Sequence, residues 1–354
     1  MSRFFSAKYK SLEPYTPGEQ PQDQQYVKLN TNESPFPVSP KAAAAAAEAA
    51  ERLRLYSDPE CRMLTPKFCE VFGLAPDEVI FNNGSDETLN FAFMAFCDET
   101  HPAVFPNITY GFYPVFAEIN RVPYEEIPLR EDFTIDVDAY CGINKTVFIA
   151  NPNAPTGIAL KRAEIEKILR TNPNNVVVID EAYVDFGAES CLPLIKKYDN
   201  LLVAQTFSKS RSMAGARLGF GAGNPELIRD LNTIKYSTNP YNINTMTMAA
   251  GVGALSDEEY TKANCRRIQE NRAFTVDALR SMGFTIPDSQ ANFIFAKHES
   301  VDGETIYREL KKRGVLIRHF TKPLIRDYNR ITIGSREQMQ IFLDTLRIVL
   351  EERL

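Results

Sequence analysis

Between residues 60 and 250, short apolar runs alternate with longer segments of mixed polarity. The runs VIFN, AVFP, TVFIA, VVVID, LLVAQTF and RLGFGAG are rich in aliphatic and β-branched residues and are mostly flanked by Gly, Pro, Asn or Asp, which predicts strands. The stretches 86–97, 161–170 and 225–235 between them read as helices. Such alternation predicts parallel strands joined by crossover helices. Ahead of this region, 1–35 is proline-rich and extended. A helix is expected over 36–55, with Ser39 as N-cap, Pro40 as its first residue and the alanine run 42–47 as its body. Beyond 250 come a long helix with charged faces (258–282), GFTIP, ANFIFAK, a helix near 303–313, VLIRHF, RITIG and a last helix at 335–352. The expected division is an N-terminal segment 1–35 that serves a site entrance and the small domain, a large domain 36–255, and a small α+β domain 256–354. Helix 258–282 is placed to bridge the two domains.

Composition narrows the class. At 354 residues and 44% hydrophobic, the chain can bury a large core. Its net charge of −6, spread without long runs, argues against nucleic acid as the main partner. The cysteines at 61, 69, 97, 141, 191 and 265 have no paired spacing, as in a reducing compartment. No apolar run approaches a membrane span, and MSRFFSAKYK lacks the apolar core of a signal peptide, so a cytoplasmic protein without membrane contact is expected. The histidines at 101, 298 and 319 lie far apart with no HExxH, so no metal site is expected. There is no GxSxG elbow and no P-loop, and GFGAG at 219–223 lacks the dinucleotide register.

Chemistry concentrates in three segments, NPNAPTG at 151–157, DEAYVDF at 180–186 and TFSKSRSMAGARLGF at 206–220. Each follows or ends a buried-strand run, so each sits where a parallel strand opens into a loop, the usual ligand position in open α/β sheets. Lys209 stands between Ser208 and Ser210, with Arg217 eight positions on. A lysine flanked by hydroxyls and an arginine suits an aldehyde cofactor that carries a phosphate, and Asp180 suits a pyridinium N–H. NNGSDE at 82–87 lies between a strand and an apolar helix, where Gly84 lets the backbone approach and the amides of Ser85 and Asp86 would face a phosphate. Together these are the protein's half of pyridoxal-phosphate chemistry.

In these residues the chain resembles the pyridoxal-phosphate aminotransferases of fold type I, and among them the histidinol-phosphate aminotransferase group. The resemblance runs from LEPYTPGE at 12–19 to RITIGSREQ at 330–338. It implies an α/β fold whose large domain has a mostly parallel sheet flanked by helices, with a smaller α+β C-terminal domain. It implies Lys209 as the Schiff-base lysine and acid–base group, Asp180 on the ring nitrogen, and Tyr183 on the cofactor's phenolic oxygen. Gly84, Ser85, Asp86, Ser208 and Arg217, with Thr206, would form the phosphate cup. Tyr110 in NITYGFY would stack on the ring, with Phe112 and Tyr113 as alternatives. Tyr56 in LYSDPE would reach the neighbouring subunit's phosphate, which makes a homodimer with shared sites the expected assembly.

One position departs from the group. The asparagine expected before P-T-G, which would bond the phenolic oxygen, is Ala154 here, so Asn153, or else Asn151, is the candidate substitute. On the substrate side the resemblance points to Arg330, Arg318, Tyr15 and Asn32. The implied reaction is amino transfer between histidinol phosphate, whose keto form is imidazole acetol phosphate, and 2-oxoglutarate, whose amino form is glutamate. An aromatic amino acid aminotransferase and a threonine-phosphate decarboxylase are the rival readings.

Overall fold

The computed structural model describes residues 2–353. Strand β1 is Val27–Lys28, helix α1 Pro40–Ala49, α2 Thr65–Phe72, β2 Val79–Asn82 and α3 Ser85–Phe96. There follow β3 Ala103–Pro106, α4 Phe112–Asn120, β4 Tyr124–Ile127, β5 Thr146–Ala150 and α5 Arg162–Thr171. Next are β6 Val177–Asp180, β7 Leu201–Thr206, β8 Gly219–Gly223, α6 Pro225–Thr238 and α7 Thr245–Leu255. The last part holds α8 Glu258–Ser281, β9 Phe284–Thr285, β10 Phe293–His298, α9 Gly303–Lys312, β11 Val315–Leu316, β12 Arg318–His319, β13 Asn329–Thr332 and α10 Arg336–Glu351.

A seven-stranded sheet runs in the order β2-β8-β7-β6-β5-β3-β4. Its strands β5, β6 and β7 are fully buried and parallel, and apolar clusters pack on both of its faces. Burial on both faces is why these strands read as continuous apolar runs and not as alternating ones. The expectation of parallel strands fails at one place. RLGFGAG supplies β8, which is antiparallel to both β7 and β2. The chain returns from β7 through residues 207–218, which contain one short 3-10 turn and no crossover helix, so it doubles back beside β7. A second, four-stranded antiparallel sheet, β12-β13-β10-β9, packs with α8, α9 and α10 around its own apolar cluster. Strand β1, from the N-terminal segment, pairs with β11 and so ties residues 27–28 to this second unit.

The alanine run has a packing reason. Ser39 caps α1 by accepting from the Ala42 N–H at 3.2 Å, and Ala42 and Ala49 are buried. Helix α1 lies so close to α7 that a β-carbon at Gly253 would come within 2.5 Å of the Lys41 carbonyl oxygen. Small residues on both helices allow that approach.

Candidate active site

The C-terminal ends of β5, β6 and β7, the start of α3, the N-terminal segment and the second sheet surround a cavity of about 230 Å³. Tyr15, Asn32, Ser85, Asp86, Tyr110, Asp180, Tyr183, Thr206, Ser208, Lys209, Arg217, Arg318 and Arg330 all line it. These residues are scattered over more than 300 positions of sequence, and the fold brings them to one place.

Asp180 closes β6 and is 5% exposed. Its carboxylate accepts from the Tyr113 hydroxyl at 3.1 Å and from the Ala182 N–H at 3.2 Å. Burial outweighs both donors and pushes its pKa up to about 7. Lys209 lies on the loop after β7 and donates to the Thr31 carbonyl at 3.2 Å. Burial and then the Arg330 charge bring its pKa down to about 8, against the pull of Glu33 and Asp86. An amine so placed is partly neutral near physiological pH and able to act as a nucleophile. Its neighbours are held elsewhere: Ser210 donates to Asp185, and Arg211 pairs with Glu258 at 3.0 Å.

The start of α3 meets the start of β8 at van der Waals limit. A β-carbon at Gly219 would lie 2.4 Å from the Gly84 carbonyl carbon and from the Ser85 nitrogen, so only glycine fits there. Gly84 takes the left-handed φ of +83° that turns the chain into the helix. Arg217 is also left-handed (φ +58°), unusual for a residue with a side chain, and its guanidinium reaches Asp86 at 3.2 Å. The Tyr110 hydroxyl donates to the other oxygen of Asp86 at 2.7 Å. Thr206 donates to Ser208 Oγ at 2.9 Å. Hydroxyls, helix N–H groups and an arginine thus converge on one end of the cavity, where they can hold a phosphate.

Also on the cavity wall, the Tyr15 ring stacks on Phe112 with centroids 4.2 Å apart. Arg318 on β12 and Arg330 on β13 are direct partners in the strand register. Among the described residues neither has a carboxylate partner: Arg318 donates to the Thr16 and Pro17 carbonyls, and Arg330 to the Asn30 carbonyl at 3.0 Å. The Arg330 Nε is buried and unpaired. An adjoining cavity of about 410 Å³ shares Tyr15, Tyr110, Ala154, Arg318 and Arg330 with the first.

Three expected residues stand apart. Asn153 turns its amide away from the cavity, donating to the Ile108 carbonyl at 2.9 Å and accepting from the Thr109 hydroxyl at 2.8 Å. Asn151 is likewise occupied, with the backbone of Leu160, so Ala154 alone of the three lines the cavity. The asparagine expectation at Asn153 is therefore not met by its side chain. Tyr56 is 86% exposed and stacks on Tyr241 at 4.8 Å, outside this chain's own cavity. Of the three aromatic alternatives Tyr110 lines the cavity, Phe112 backs Tyr15, and Tyr113 sits behind Asp180. Thr31, Glu33 and Ala182, in the NTNESP and DEAY segments, also line the cavity, and nothing in their local sequence marks them for it.

The cavity fits pyridoxal phosphate by the chemistry of its donors. It offers an amine that among the described residues has no carboxylate partner, a buried carboxylate, and a phosphate-sized group of donors at a helix start. The model of the family "Aminotransferase class I and II" matches residues 24–346. A histidinol-phosphate aminotransferase of Brachyspira hyodysenteriae is 47% identical over 99% of this chain and 100% of its own length. One of Clostridium acetobutylicum is 44% identical over 98% of this chain and 99% of its own. The fold is also that of a Sinorhizobium meliloti histidinol-phosphate aminotransferase solved with pyridoxal-5'-phosphate, at a TM-score of 0.86 and 23% identity over 94% of this chain and 93% of that one. The chain belongs to the class I and II aminotransferases, enzymes that work with pyridoxal phosphate.

Proposed function

We propose that this aminotransferase moves an amino group between histidinol phosphate and 2-oxoglutarate, a step of histidine biosynthesis. The observation that carries the reading is the Arg318–Arg330 pair. Two like charges opposed across a strand register destabilise a sheet unless an anion joins them. Both substrates bring anionic groups, a phosphate monoester on one and carboxylates on the other. The names of the full-length relatives point the same way.

Pyridoxal phosphate, when bound, supplies an aldehyde for amino groups and a ring that draws electrons from the carbon bearing the amine. The protein's own residues do the rest. Lys209 would hold the cofactor, and once displaced by the substrate's amine it would take and return the proton at that carbon. Asp180, ionised, would keep the ring nitrogen protonated. Ser85, Ser208, Thr206 and Arg217, with the turn at Gly84 and the amide of Asp86, would hold the phosphate. Tyr110 would cover the ring, Tyr183 would donate to the phenolic oxygen, and Arg330 would grip the substrate's acidic group. Tyr15 would close the mouth, and the N-terminal segment 1–35 would serve that entrance between a large unit 36–255 and a small one 256–354.

The assembly we propose is a cytoplasmic homodimer. The exposed Tyr56–Tyr241 stack suits a surface that a second copy covers, with the Tyr56 hydroxyl completing the neighbour's phosphate cup. Tyr56→Phe is expected to weaken cofactor retention several-fold with an unchanged melting temperature, and a fully active monomer in sedimentation at assay concentration would rule the shared site out. Among the described residues no helix is long and apolar enough to cross a membrane.

Substrate choice is tested by steady-state kinetics with histidinol phosphate and with phenylalanine, each against 2-oxoglutarate. Histidinol phosphate is expected to have the larger kcat/KM. Arg318→Ala is expected to lower it about tenfold or more for histidinol phosphate and much less for phenylalanine, because the lost partner is charge-assisted. Equal losses would favour an aromatic amino acid aminotransferase. Carbon dioxide release from threonine phosphate without a keto acid would favour a decarboxylase.

A further inference from the structure

Asn32 is expected from sequence to shape the substrate entrance, yet its side chain is committed elsewhere. It is 1% exposed and holds a left-handed φ of +56°. Its own N–H donates to Thr332 Oγ at 2.9 Å. The Thr332 hydroxyl, already accepting there, donates its hydrogen to Asn32 Oδ1 at 3.1 Å. In this arrangement the amide oxygen faces Thr332, and Nδ2 faces Tyr183, to whose hydroxyl it donates at 3.0 Å. The Asn32 carbonyl accepts from Asn292 Nδ2 at 3.0 Å, so the strained backbone is fixed from both sides.

An amide N–H cannot accept a hydrogen bond. The Tyr183 hydroxyl hydrogen must therefore point away from Asn32, on a ring that lines the cavity and is wedged edge-on against Phe293 at 4.9 Å. We propose that Asn32 is a positioning residue acting through Tyr183, and that the chain Thr332–Asn32–Tyr183 sets the phenol as a donor toward the cofactor's phenolic oxygen. This rests on the reading of Tyr183 given above. In this chain the arrangement matters more because Ala154 offers no side-chain donor at the cavity wall and Asn153 is turned away.

The test uses the purified holoprotein and three neutral substitutions, Asn32→Ala, Thr332→Val and Tyr183→Phe. None of them alters Arg330, Asp180 or Asp86, or Lys209, whose Nζ lies 5.8 Å from the centroid of the Tyr183 ring; these are the charged groups that face Tyr183. The readouts are the affinity of the apo-protein for pyridoxal phosphate and the pH titration of the bound cofactor's visible absorbance, with melting curves to verify folding. Losing one donor to the phenolic oxygen lets that oxygen hold its proton-bearing neighbour more tightly, so the titration moves up. Asn32→Ala and Thr332→Val are each expected to weaken affinity about three- to tenfold and to raise the titration by roughly half a unit to one unit. Both effects should vanish in the Tyr183→Phe background. Should Asn32→Ala fold poorly, Thr332→Val alone decides. A shift with Tyr183→Phe but none with the other two, or a shift that persists without the phenol, overturns the proposal. No shift with Tyr183→Phe itself overturns the reading of Tyr183, and the proposal with it.

Discussion

Lys209→Ala is expected to lower kcat by at least about 10³-fold, because both the covalent anchor and the acid–base group are lost together. The fold should survive. The lysine's amine bonds only one backbone carbonyl among the described residues and has no ion pair to lose. Its pKa in the fold, about 8, lies below the ordinary lysine value of 10.5. A depressed amine means that the folded chain binds fewer protons than the unfolded one between those values, so burying the ammonium costs stability in full below about pH 8 and nothing above about 10.5. Removing it should leave the melting temperature at pH 7 unchanged or raised. The same value predicts how the wild-type apo-protein reacts with pyridoxal phosphate. Only the neutral amine attacks, so the fraction fixed by borohydride in short exposures should rise with pH and reach half its plateau near pH 8. Near-normal turnover in the purified variant, or a pH midpoint near 10.5, would remove Lys209 from its assigned place.

Much of this site was legible because its chemistry is local. A lysine between hydroxyls after LLVAQTF, an aspartate ending VVVID and a glycine turn before an apolar helix each carry a reason within a few residues. What stayed hidden depended on partners far away in sequence. The bond from Asn32 to Tyr183 spans 151 positions, and Arg318 faces Arg330 only because β12 and β13 pair in that register. Asn153 is adjacent to the missing asparagine but is captured by the 108–109 loop, which nothing in NPNAPTG announces. In the fold, the strands and long helices were readable from their patterns. Helix α7, TMTMAAGVGAL, was not, because it is buried nearly all round and so has no polar face to mark its period. The reversal at β8 was hidden as well, since a buried antiparallel strand and a buried parallel one look alike in composition.

Arg330→Ala is expected to impair both half-reactions, and the size follows from burial. Burial pulls the guanidinium's pKa below the usual range, and among the described residues its Nε has no partner. A half-buried cation at the cavity wall, with no carboxylate partner among the described residues, leaves its charge for an anion that the substrate brings. Losing one partner of a buried charge pair costs on the order of 2–5 kcal/mol, roughly 30-fold to several thousand-fold in kcat/KM. Glutamate and histidinol phosphate should both fall within that range, in contrast to Arg318→Ala, which is expected to discriminate between phosphate and non-phosphate substrates. Lysine should restore little at this position, since it cannot keep the bond to the Asn30 carbonyl and also present two parallel donors to an anion. Stability should move the other way. Relieving the opposition to Arg318 across the strand register should leave the unliganded Arg330→Ala protein no less heat-stable than wild type. A variant that lost activity only in step with its melting temperature would mark Arg330 as a packing residue. Lost kcat/KM with an intact or higher melting temperature would mark it as the cation that meets every substrate.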